Sequence, residues 1–246
     1  MGADGSQWYF DPAQANNLVH HTRSGFSAVA IPGNFYFPSA TVDNLTRATN
    51  GNIWFAVGGA LGFVTPAGQL KVVATIGQGA GGSIAFAADS TLWLATGSDL
   101  EQYSQSGALL QTVAYQANYV TQGPDGNVWF TQPDAIGSVR ANGTLVVYPL
   151  TEPIAGCIPN NVCSRGIGTI ATGPDGALWF VERGTTRGIG RLSPAGLLVE
   201  DPILAARSNP SDVSAGPDGK VWFVDNGAQK IGRIVINTPH RLSRSW

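Results

Sequence analysis

Charge, histidine and cysteine are all scarce in this chain, and each scarcity removes a class of function. Charged residues are 12% of the sequence, with 14 Lys and Arg against 16 Asp and Glu, for a net charge of −2. No general electrostatic attraction to nucleic acid or an anionic membrane is expected from that balance. Only the segment His240-Arg241-Leu242-Ser243-Arg244-Ser245-Trp246 is locally basic, and it reads first as a solvated tail. No apolar run approaches the ~20 residues of a membrane span. No apolar leader opens the chain, which starts on Gly2-Ala3-Asp4-Gly5, although a mature protein with its leader removed looks the same.

Histidine occurs three times and cysteine twice. No His-Glu-x-x-His motif is present, and no Cys/His set has zinc-site spacing. There is also no Gly-x-Ser-x-Gly elbow. Cys157 and Cys163 bracket a short loop. They read first as a disulfide, with free thiols as the alternative, and a disulfide points to a secreted or periplasmic protein. Gly77-Gln78-Gly79-Ala80-Gly81-Gly82 fits a dinucleotide-loop pattern. The next residues, Ser83-Ile84-Ala85-Phe86, read as a strand and not as a phosphate-binding helix start.

What is plentiful is turn chemistry and tryptophan, with 32 Gly, 15 Pro and 7 Trp. A chain of 246 residues fits one large domain, able to bury about 70–75% of its unfolded surface without a metal or disulfide. Gly123-Pro124-Asp125-Gly126-Asn127-Val128-Trp129-Phe130 recurs at 173–180 and at 216–223. Weaker copies lie around Trp8, Trp54 and Trp93. The period of roughly forty residues is that of four short strands per repeat, as in a propeller blade. Asp-Gly between apolar runs is a strong hairpin signal. The run before it (Asp212-Val213-Ser214-Ala215) predicts the innermost strand of a blade, and Val221-Trp222-Phe223-Val224 the second. Lys230–Ile234 predicts the third, and Leu197–Glu200 is an outer strand of the preceding repeat. The sequence thus predicts an all-β domain over residues 1–246: a β-propeller of six four-stranded blades, with seven as the alternative. One large aromatic at a fixed place in every repeat is expected in the core between blades, not in a stacking site.

The Gly-Pro-Asp-Gly-x-[Leu/Val]-Trp-Phe repeat, followed by Ile-Gly-Arg at 189–191 and 231–233, resembles that of the streptogramin lyase (virginiamycin B lyase) family. The resemblance implies a propeller and, for that family, a Mg-assisted elimination that opens a cyclic depsipeptide lactone. It also implies a pair of catalytic histidines at the start of innermost strands in late blades. Here those positions read Asn118, Gly168 and Ser211. Only His240 fits the histidine pattern, if residues 239–244 pair beside Trp8-Tyr9-Phe10 and close the ring. The alternative is that this segment is the outer strand of the last blade.

Propellers bind where the loops of several blades converge on one face. Three residues after each repeat tryptophan come Asp11, Val57, Thr96, Gln132, Glu182 and Asp225, and innermost strands start at Asp43, Gly82, Asn118, Gly168 and Ser211. From these, Asp11, Asp43, Asn118, Gln132, Ser211 and Asp225 are the candidate ligand-binding residues. Asp11, Glu182 and Asp225 are candidate oxygen ligands for Mg, a cofactor the sequence does not require. His240 and Glu182 are the candidate catalytic pair. Two functions stay open. One is an extracytoplasmic recognition propeller, expected to be a monomer, for a small molecule, glycan or peptide. The other is a divergent Mg-dependent lyase.

Overall fold

The computed structural model describes residues 5–11, 17–31, 45–76, 82–150, 165–184, 187–193, 195–202, 208–237 and 241–245. All regular structure among them is β, with no helix, and the fold is a six-bladed propeller. The chain divides into two compact units, residues 1–118 and 119–246, with three blades in each.

In the first unit, blade one is β1 (Gln7–Phe10), β2 (Asn17–Thr22) and β3 (Gly25–Ala30). Blade two is β4 (Leu45–Arg47), β5 (Ile53–Val57), β6 (Ala60–Val64) and β7 (Leu70–Thr75). Blade three is β8 (Ser83–Phe86), β9 (Leu92–Ala95), β10 (Leu100–Tyr103) and β11 (Leu109–Val113). β8 is the strand expected after the glycine-rich segment.

In the second unit, blade four is β12 (Val120–Gln122), β13 (Val128–Gln132), β14 (Ala135–Val139) and β15 (Leu145–Pro149). Blade five is β16 (Ile167–Thr172), β17 (Leu178–Arg183), β18 (Arg187–Leu192) and β19 (Leu198–Pro202). Blade six is β20 (Pro210–Ala215), β21 (Val221–Asp225), β22 (Lys230–Asn237) and β23 (Arg241–Ser245). Every blade is antiparallel and ordered as the chain runs. The Asp-Gly turns join first to second strands, with Gly126, Gly176 and Gly219 at positive φ, as such hairpins require.

One expectation is corrected. Residues 241–245 do not pair with β1. They form β23 against β22, in the register Asn237↔Arg241 through Arg233↔Ser245. Among the described residues β1 pairs only with β2. An eight-residue β22 offers β23 a full-length antiparallel edge, and a strand completing a sheet satisfies every backbone group along that edge.

In blades two to six the repeat tryptophan lies on the second strand, whereas Trp8 of blade one lies on β1; Trp8 and Trp222 are half-buried. Trp54, Trp93, Trp129 and Trp179 are all buried. Trp54 packs with Leu61, Ile84 and Leu94 across blades two and three, and Trp179 with Val213 and Phe223 across blades five and six. Trp54, Trp129 and Trp179 thus fill the wedge between neighbouring sheets.

Candidate functional site

The candidate site is best defined in the second unit, where second strands end and first strands begin. Gln132 and Asp225 are the last residues of β13 and β21, and Glu182 is the last but one of β17. The position count from tryptophan therefore finds one common end of the blades.

Glu182 is 2% exposed and faces an arginine that is fully buried, Arg165. The Arg165 guanidinium donates from Nη1 to Glu182 Oε1 at 3.2 Å and from Nε to the Leu150 carbonyl at 3.2 Å. Its backbone N–H donates to Asp134 Oδ1 at 2.7 Å, and its carbonyl accepts from Gly184 N–H at 2.8 Å. Burial pushes the Glu182 carboxyl up to about 7, against the opposing pull of the Arg165 charge. A buried carboxylate must be paired or protonated, and Arg165 supplies the pairing.

Asp225 is fully buried and likewise engaged. Its carboxylate accepts from the Ser208 hydroxyl at 2.5 Å, Asn209 N–H at 2.8 Å and Ala228 N–H at 3.0 Å. Burial alone would raise its pKa, but these donors hold it below the usual carboxylate range. Asp225 thereby ties the segment before β20 to the β21–β22 turn.

A third cluster forms where β16 and β20 begin. Both strands carry an irregularity there, between Ile167 and Ile170 and between Pro210 and Asp212. Such bulges re-aim side chains next to functional sites. Arg183 reaches from the end of β17 to the Ser211 carbonyl and lies over the Tyr119 ring at 5.9 Å. Asp212 is half-buried, and burial raises its carboxyl although the Val213 N–H, Thr169 and the Arg183 charge all favour ionisation.

Of the other expected residues, Asn118 is half-buried just before β12, and Asp11 is half-buried just after β1 in the first unit. Ser211 is half-buried on β20. Asp43, His240, Cys157 and Cys163 lie outside the described residues. His20 and His21 sit on β2 and are stacked on Trp8 and Phe26. Arg165, Arg183, Asp212 and Ser208 were not expected from the sequence.

The profile of the Virginiamycin B lyase family matches residues 1–239. The chain belongs to that family. It is similar to a catalytically inactive variant of virginiamycin B lyase from Staphylococcus aureus solved with quinupristin. There the identity is 25%, coverage is 94% of this chain and 77% of that one, and the TM-score is 0.76. A selenomethionine-substituted virginiamycin B lyase from the same organism is 24% identical over 100% of this chain and 82% of that one, with a TM-score of 0.79. The extracellular domain of a putative hybrid two-component system from B. thetaiotaomicron shares the fold, at 15% identity and a TM-score of 0.60 over 91% of this chain and 32% of that one. A search of curated proteins returned no match to this sequence.

The Mg implied by the lyase resemblance can be tested against these carboxylates. Glu182 is occupied by a guanidinium, and Asp225 by three hydrogen-bond donors. Those contacts compete with a hard cation for the carboxylate oxygens. Among the described residues, no three of His, Cys, Asp and Glu are grouped so as to hold a metal ion. Glu182 and Asp225 do not fit a Mg centre.

Proposed function

We propose that this virginiamycin B lyase-family propeller is a recognition domain outside the cytoplasm. It binds a small molecule, glycan or peptide at the strand ends of blades four to six. The observation that carries this reading is the Arg165–Glu182 pair, with both side chains buried. It commits to the scaffold Glu182, the carboxylate that the sequence pairs with His240 as a catalytic candidate. The strand starts that would present imidazoles in the lyase pattern hold Asn118, Gly168 and Ser211, none of which accepts a proton near neutral pH. The extracellular domains that share the fold support the location.

The second reading is a divergent lyase, favoured by family membership and by the relative solved with quinupristin. One assay separates the two. Quinupristin is incubated with the protein and Mg, with and without EDTA, and the ring-opened product is sought by mass spectrometry. No linear product is expected. EDTA-sensitive ring opening that disappears in His240→Ala would establish the lyase instead.

A further inference from the structure

Arg183 stands out as a guanidinium placed with care yet left short of acceptors. It sits at the end of β17, and its side chain lies across Gly168, the first residue of the β16 bulge. A Cβ at position 168 would stand 2.9 Å from Arg183 Nε, 3.0 Å from Cζ and 3.2 Å from Nη2. The absent side chain at 168 is therefore the space the guanidinium uses. Tyr119 offers its ring to the cation, and Nη2 donates to the Ser211 carbonyl. The Asp212 carboxylate acts on Arg183 through charge, while its Oδ1 accepts from the Val213 N–H at 2.8 Å. Arg183 Nε is buried with no protein acceptor. Buried donors are nearly always satisfied, and a guanidinium presents a planar fork of donors suited to a carboxylate or phosphate oxyanion.

We propose that Arg183 is the specificity residue of this face, taking an oxyanion group of the ligand, the chemistry shared by a carboxylate and a phosphate. This rests on the recognition reading and narrows it to acidic ligands. Gly168 and Arg183 then work as a pair, since any side chain at 168 displaces the guanidinium.

The test monitors the Arg183 Nε–Hε signal by 15N NMR in the full chain, assigned by its loss in Arg183→Gln. Sodium acetate, sodium phosphate and neutral acetamide are titrated separately at constant ionic strength. Acetate or phosphate should shift the signal saturably and acetamide should not, and the tighter of the two anions identifies the source. Gly168→Ala, checked for folding by its melting curve, should weaken that response by about tenfold or more. A signal that fails to move, an equal shift with acetamide, or an undiminished response in Gly168→Ala would overturn the proposal. The wild-type titration decides it even if a variant does not fold. Ring opening of quinupristin would refute the recognition reading separately, through a different readout.

Discussion

At the scale of single residues, the repeat motif is a device for seating one indole. In blades four, five and six the turn aspartate accepts the tryptophan Nε1–H: Asp125 from Trp129 at 2.9 Å, and Asp175 from Trp179 and Asp218 from Trp222 at 3.0 Å each. The glycine two residues before each aspartate makes room for the ring. A Cβ at Gly123, Gly173 or Gly216 would lie 2.0 to 2.4 Å from the indole Cδ1 and Nε1. In blades two and three that glycine is replaced by Ala48 and Ala87, and there Trp54 and Trp93 Nε1 are buried without a partner. Blade five adds Arg191, which pairs with Asp175 at 2.7 Å and lies over the Trp179 ring at 5.8 Å. Asp175→Ala should therefore destabilise the protein by about 1–3 kcal/mol, because it strands a buried indole N–H and an arginine together. Urea unfolding measures this, and a loss within error of wild type would mean that the hydrogen bond contributes nothing.

At the scale of strands, the glycine of Ile-Gly-Arg in blades five and six, and its counterpart in blades two and four, faces an aromatic ring. Gly62, Gly137, Gly190 and Gly232 on third strands each sit directly across from a second-strand phenylalanine: Phe55, Phe130, Phe180 and Phe223. A Cβ on any of the four would stand within 2.2 to 2.5 Å of the facing ring. In blade three the aromatic becomes Leu94 and the facing residue becomes Glu101, so glycine is needed only where the ring is present. Gly190→Ala should cost about 1–3 kcal/mol by overpacking, and Phe180→Leu in the same chain should recover part of it. Additive losses in a double-mutant cycle would show that the two positions are not coupled. This is why the architecture was legible in sequence: a spaced aromatic recurs in all six repeats and an Asp-Gly turn in four of them, and both are local signals. The site was legible only in part. Counting three residues past each tryptophan located the strand ends, and with them Glu182 and Asp225. The same count stopped one residue short of Arg183. Nothing local marked Arg165, whose burial depends on Asp134, Leu150 and Glu182, distant in the chain. The pairing of residues 241–245 was equally open, because strand partners are chosen by edges that a sequence does not display.

At the scale of the molecule, two groups of acids pull stability in opposite directions with pH. Asp125 and Asp175 are held below their ordinary 3.8, the indole and other hydrogen bonds outweighing the cost of burial, and Asp225 is lowered likewise by its own donors. Their contribution is complete above that ordinary value and is lost as pH falls through the lowered ones. Glu182, raised by burial from 4.5 to about 7, and Asp212, also raised by burial, behave in the reverse sense. The folded chain holds their protons more tightly than the unfolded chain does. Their contribution is complete below the ordinary carboxylate range and, for Glu182, is lost as pH rises through about 7. Stability should therefore peak in mildly acidic solution, near pH ~5, and decline toward pH ~8. Glu182→Gln cannot release a proton, so whatever its absolute stability, its decline over that interval should be shallower than in the wild type. Melting temperatures across the range measure both slopes. A wild-type curve that is flat or rising between those values would mean that Arg165 keeps Glu182 ionised throughout, and that the pair is a fixed ionic strut insensitive to pH.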